Sequence, residues 1–148
     1  MAAHGLEERR ATLAKLQTIN SGRAFQGSLD DAYEVPRDPS SGRALPHVIV
    51  DFGAPVRTAR DRNLAKREQG QPHVLPANIA CVAGNADDAQ LLMAAVFTLL
   101  VDWEPSATSD AWEAKGGYGT RRPATQSTPT RFVEGLFLEA VTNQGIDA

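Results

Sequence analysis

The run Leu91–Val101 is apolar at every position except Thr98, and it constrains the fold more than any other stretch of the chain. It is too short to cross a bilayer as a helix, which takes about twenty residues, so it must be buried against protein. Asn85 stands where an N-cap is needed, and Asp87 and Asp88 fall in the first turn, where the helix dipole favours negative charge. The spacing predicts a helix from Ala86 to about Trp103, with Leu91, Leu92, Ala95, Val96, Leu99 and Trp103 on one face. Met93, Phe97 and Leu100 widen that face beyond the usual stripe. Leu92, Val96 and Leu99 are its expected core residues. A helix so broadly apolar needs cover on more than one side. In a chain of 148 residues a sheet supplies one side, and a neighbouring subunit is the expected source of the other. Phe97 and Leu100 are therefore expected at a subunit interface, with Phe137 of the last strand.

The remaining segments supply the sheet. Leu6 to Ile19 predicts an amphipathic helix with Leu6, Leu13 and Leu16 on one side, joined by Ile19 or Ala11, and Asn20-Ser21-Gly22 stops it. Short strands are predicted at 24–26, 32–35 and 47–52, the last with Val48, Val50 and Phe52 on one face. The turn residues Pro36 to Arg43 suggest a hairpin between 32–36 and 45–52. From His73 to Ala83, the residues Leu75, Ala77, Ile79, Cys81 and Ala83 alternate onto one face. Pro76 is expected at an edge or near the strand start, because it cannot donate to a ladder. In the closing strand, 130–142, Phe132, Leu136, Leu138 and Ala140 share one side and Val133, Phe137 and Val141 the other. That strand is buried on two sides, or lies partly at an interface. Between these elements lie two expected long loops, about 57–72 and 104–130. The fold class that follows is α+β: a mostly antiparallel sheet with two helices packed on one face, in a single domain over residues 1–148.

Catalytic chemistry has little to work with here. His4, His47 and His73 lie far apart, without partners at metal-ligand spacing, so no metal or cofactor is expected. The single cysteine, Cys81, sits mid-strand, where a thiol is a small buried hydrophobe and cannot form an internal disulfide. Gly116-Gly117-Tyr118-Gly119 lacks the Lys-Ser/Thr ending of a phosphate loop and is expected to be a flexible loop. Asp102 and Glu104 stand near the helix C-terminus, where the dipole disfavours them, and a cation from another segment or subunit would account for them. No catalytic residue is expected, and the chain is read as not an enzyme. Its N-terminus, with Glu7 and Glu8 and no apolar run, does not resemble a secretory signal.

The net charge of −3 is too small for a general polyanion binder, but one segment is strongly basic. Arg57, Arg60, Arg62, Lys66 and Arg67 face only Asp61 and Glu68 nearby. The plain explanation is a solvated loop. The alternative is a collar of several copies turned toward an acidic partner ring or a DNA path. The segment holds no aromatic residue, which speaks against single-stranded nucleic-acid binding.

Several tracts carry a family resemblance. They are Val35-Pro36-Arg37-Asp38-Pro39-Ser40-Ser41-Gly42-Arg43-Ala44-Leu45-Pro46-His47-Val48-Ile49-Val50, Phe52-Gly53-Ala54-Pro55, Gln71-Pro72-His73-Val74-Leu75-Pro76 continuing to Cys81-Val82-Ala83-Gly84, and Thr130-Arg131-Phe132-Val133. Across roughly residues 33–140 the chain resembles the tail terminator proteins of siphovirus-type bacteriophages, particularly those infecting actinobacteria. The resemblance implies a virion protein at the head–tail junction, assembled in the host cytoplasm. It would form a homo-oligomer, a hexameric ring, on the major tail (tube) protein, end tube growth and meet the head connector or stopper. Genomic DNA would pass through its lumen without sequence-specific contact, and no membrane is involved. The alternatives are another head–tail joining protein, such as a stopper or connector component, and a small nucleic-acid-binding module.

Overall fold

The computed structural model describes residues 5–29, 33–57, 73–121 and 129–142. Helix α1 (Leu6–Leu16) and a 3-10 turn (Asn20–Gly22) lead into β1 (Ala24–Gln26). Strands β2 (His47–Phe52), β3 (Val56–Arg57) and β4 (His73–Ala83) follow, then helix α2 (Ala86–Leu100), β5 (Glu113–Arg121) and β6 (Phe132–Thr142). The strands make one sheet in the order β1-β2-β4-β6-β5, with β3 also beside β4. Every pairing is antiparallel except β1 with β2. The architecture is α+β, as the sequence pattern predicts.

Strands β4 and β6 form the centre, paired along their full length from His73↔Thr142 to Ala83↔Phe132. Alternation sends Leu75, Ala77, Ile79 and Cys81 of β4, and Leu136, Leu138 and Ala140 of β6, to one face. There they pack with Val48 and Val50 of β2, Leu16 of α1, and Leu92, Val96 and Leu100 of α2. The other face carries a smaller cluster of Ile49, Ala80, Val82 and Val133, with Leu29, Tyr33 and Tyr118 against it. Pro76 belongs to this central strand and not to an edge. Its carbonyl accepts from the Gly53 N–H at 3.0 Å. In a strand, the N–H and C=O of one residue point the same way. The donor that proline lacks therefore faces Gly53–Pro55, where the ladder is already broken between β2 and β3.

Helix α2 starts as expected: the Asn85 side chain accepts from the Asp88 N–H at 2.8 Å. It stops at Leu100, short of Trp103, because the chain beyond it is captured by Trp112. The Asp102 N–H donates to the Trp112 carbonyl at 2.9 Å and the Trp112 N–H to Trp103 at 3.0 Å. Asp102 takes a left-handed φ of 68° at the turn. The buried stripe is Ala89, Leu92, Val96 and Leu100, with Met93, Leu99 and Trp103 partly covered. Leu91 and Ala95, expected on that stripe, are exposed. Leu100, expected at a subunit interface, is fully buried in the chain's own core. The helix is covered by the sheet and by α1, so the buried stripe turns toward Ala89 and Leu100 and leaves Leu91 outside.

Three further expectations are corrected. The 32–36/45–52 hairpin does not form; β2 is flanked by β1 and β4. Residues 36–45 close on themselves instead, with Leu45 N–H to Pro36 O and Asp38 N–H to Arg43 O, both at 2.8 Å. The span 104–130 is not one loop, for it contains the nine-residue β5. Gly116-Gly117-Tyr118-Gly119 lies in that strand. A Cβ at Gly117 would collide with the Gly135 carbonyl, and one at Gly135 with the Tyr118 ring. The glycines let two strands approach closely while Tyr118 covers the gap.

The third correction concerns α1, whose buried residues are Glu8, Thr12 and Leu16, not the leucine stripe alone. Glu8 is fully buried. Its Oε1 accepts from Thr142 Oγ1 at 2.5 Å and from Ser106 Oγ at 3.0 Å. One turn on, Thr12 Oγ1 accepts from the Trp112 indole N–H at 3.0 Å, and Trp112 stacks on Phe52. A polar seam thus fixes α1 to the end of β6 and to the segment after α2. Buried polar groups of this kind specify geometry because each loses water that only its partner replaces.

Two stability measurements check this packing. By urea denaturation, Leu100→Ala should cost about 2–5 kcal/mol and Leu91→Ala less than about 0.5 kcal/mol. Glu8→Ala, which removes the acceptor shared by Thr142 and Ser106, should cost about 2–4 kcal/mol. A loss below about 1 kcal/mol would contradict the seam.

Candidate functional site

Among the described residues no group of three His, Cys, Asp or Glu side chains could hold a metal ion, and no helix is long and apolar enough to cross a membrane. Cys81 is buried in the core, where desolvation, and secondarily the charge of Glu134, push its thiol far above the ordinary range. A thiol so held is a packing group, not a nucleophile. His47 is buried and fully engaged. Its Nδ1 lies 2.8 Å from the Leu45 carbonyl, which can only accept, so Nδ1 carries the proton. Nε2 then accepts from Tyr33 OH at 3.0 Å, and that hydroxyl accepts in turn from Arg131 Nη1 at 3.4 Å. The relay fixes the segment at Tyr33 over the smaller apolar cluster.

The surface is more informative. Leu91 is 69% exposed and Phe97 46% on the outer side of α2, away from the sheet. On the sheet face that no helix covers, Phe25 is 43% and Phe137 39% exposed. Beside Phe137 the Tyr118 ring stands edge-on at 6.2 Å, with the Arg121 guanidinium 3.5 Å above Tyr118. Phe137, Tyr118 and Asp51 border a concavity of about 290 Å³ floored by Ile49, Asn78 and Ala80. The chain therefore presents apolar anchors on two opposite sides. Sequence spacing points to Phe97 and Phe137. It misses Phe25, and it misplaces Leu91 because the broad apolar arc of α2 does not say which part the sheet will take.

The charges are distributed unevenly. Residues 84–112 contain Asp87, Asp88, Asp102, Glu104 and Asp110 and no lysine or arginine. Asp87, Asp102 and Glu104 are exposed. The free sheet face is mixed in charge: Asp51 lines the concavity and Glu139 follows Phe137 on the same face of β6, with Arg121 and Arg131 nearby, while Lys115 is paired with Glu113 at 2.9 Å. Of the basic segment, Arg57 ends β3 opposite His73. Arg60, Arg62, Lys66 and Arg67 lie outside the described residues.

Burial, reinforced by Arg131 and Arg23, lowers the His47 pKa below its ordinary 6.5, although its bond to Leu45 opposes the shift. Below pH 6.5 the unfolded chain takes up a proton that the folded chain resists. The His47 contribution to stability is therefore complete above pH 6.5 and declines as pH falls through the window beneath it. Thermal unfolding of the wild type should show this decline and His47→Asn should flatten it. Equal slopes in both proteins would remove His47 as the cause.

No family model and no curated protein matches the chain. Among solved structures, the chain is similar to one from the virion of a native gene transfer agent particle. The identity is 19% and the TM-score 0.50, with 95% of each chain covered. At that identity the likeness is one of fold, and it extends over nearly the whole of both chains.

Proposed function

We propose that the chain is a structural virion protein of a tailed phage: a tail terminator that caps the tail tube as a ring, ends tube polymerisation and presents a surface to the head connector. The observation that carries this reading is the fold likeness, over 95% of both chains, to a chain of a gene transfer agent virion. It is supported by apolar anchors left exposed on opposite sides of the subunit. A subunit with two different sticky sides builds head-to-tail contacts, which close into a ring when the rotation between copies allows it. The same fold support extends to the neighbouring role of a stopper or connector component.

In this proposal Phe97 and Phe137 lie at subunit boundaries, and the family resemblance sets the ring number at six. The work of the ring is mechanical and not catalytic. The segment carrying Arg57, Arg60, Arg62, Lys66 and Arg67 meets an acidic surface of an adjoining ring or faces the DNA channel. Copies brought together in a ring would otherwise repel one another there.

Two measurements test the role. Immunogold electron microscopy of virions should place the chain at the head-proximal end of the tail tube, and purified protein should stop the growth of tubes assembling in vitro. Labelling at the head vertex, with tube growth unaffected, would favour the stopper or connector role. The double reversal Arg60→Glu/Arg62→Glu should leave the thermal unfolding curve unchanged while lowering the yield of joined particles. A normal yield would reduce the basic segment to a solvated face.

A further inference from the structure

We infer that His47 is a latch that acid opens: a proton on its Nε2 frees the segment at Tyr33 from the sheet while the larger core stays closed. The imidazole is buried and both of its nitrogens are engaged. Nδ1 donates to the Leu45 carbonyl at 2.8 Å, so Nε2 has only its lone pair to offer. Tyr33 OH donates to it from 3.0 Å and accepts from Arg131 Nη1 on its other side. Among the described residues, His47 Nε2 is the one acceptor of the phenolic proton. Protonation removes that acceptor and sets two donors against each other. The phenol can turn its lone pairs to the imidazolium, but its own proton then finds a partner only if the ring swings out to water. Alternation along β2 puts His47 with Ile49 on the free sheet face, away from Val48 and Val50, so the larger cluster is not part of the latch.

The surrounding charges act in the same direction. The Arg131 guanidinium, just before β6, lies 5.7 Å from the Tyr33 ring centre, and Arg23, just before β1, also acts on His47. Both oppose a second positive charge, and burial opposes it more strongly. From β4 the ring meets Val82, its registered partner, which carries no charge. Glu34, beside Tyr33, and Asp51, near the end of β2, are exposed acids, and the two bonds of the ring go to Leu45 and Tyr33 instead. Asp30 and Asp31 lie outside the described residues. What Tyr33 covers is the smaller cluster of Ile49, Ala80, Val82 and Val133. Ile49 lines two hollows, one with Phe25 and Tyr33 and one with Tyr118 and Phe137. Once Tyr33 leaves, its ring no longer closes off the first of them, and the open apolar area of the free sheet face grows from the Phe25 end. The latch thus sets how much of that face is open.

The experiment follows the full-length chain by two-dimensional NMR from about pH 7.5 down to about pH 4.5. The His47 ring should titrate below pH 6.5. At the same midpoint the amides of Tyr33, Glu34 and Val35 should lose at least about ten-fold in exchange protection, corrected for the intrinsic effect of pH, while Leu75 to Cys81 keep theirs. His47→Gln, which cannot take up a proton, should abolish the step. Arg131→Gln, which removes one opposing charge, should raise its midpoint by about half a pH unit, and it carries the test by itself if His47→Gln fails to fold. Opening that persists unchanged in His47→Gln, or a midpoint that Arg131→Gln leaves in place, would overturn the latch. So would a His47 ring that titrates while the segment stays protected. Protection lost together in Tyr33 and in β4 would be global acid unfolding, and it too would overturn the latch.

Discussion

The ladder between β4 and β6 is the constraint on which the rest of the subunit depends. Eleven residues of each strand pair without interruption, and the alternation of side chains fixes both faces of the sheet together. A slip of one residue would exchange Leu136, Leu138 and Ala140 for Phe137, Glu139 and Val141 on the helix side. The larger core would then receive a carboxylate and lose its fit to Leu92, Val96 and Leu100. Strands β2 and β5 each pair with one of these two central strands and inherit their register from it.

From this ladder follows an asymmetry between the two faces. The helices cover one of them completely enough that Val48, Val50, Leu75, Cys81 and Leu100 have little or no contact with water. Among the described residues, the other is covered at one end, by the segment carrying Leu29 and Tyr33. Phe25 and Phe137 stay open on it, while Leu91 and Phe97 stay open on the back of α2. Isolated exposed apolar residues are ordinary in soluble proteins. Here they stand on opposite sides of the subunit, Leu91 and Phe97 on α2 and Phe25 and Phe137 on the sheet.

The elements legible in the sequence are those whose burial is decided locally. Asn85 with Asp88 marks the start of α2, and the alternation from Leu75 to Ala83 marks β4, because capping and period-two patterning need no distant partner. What escaped depends on residues far along the chain. Gly116-Gly117-Tyr118-Gly119 has the composition of a loop, and it becomes strand only because Gly135 stands opposite. Glu8 and Thr12 have the look of a solvent face, and they are buried because Thr142, Ser106 and Trp112 arrive to meet them. Of the candidate surface, Phe97 and Phe137 could be named from spacing. The outward turn of Leu91 and the burial of Leu100 could not, since they depend on how far α2 rotates on the sheet.

The contact between Glu8 and Thr142 spans almost the whole length of the chain. A growing polypeptide cannot make it until the end of β6 has left the ribosome, and β6 is also the strand that joins β4 to β5. The central sheet therefore cannot close until β6 has been made, and α1 waits without its buried partners until then. The free sheet face takes shape only when β6 enters it, so the concavity between Tyr118 and Phe137 does not exist before then.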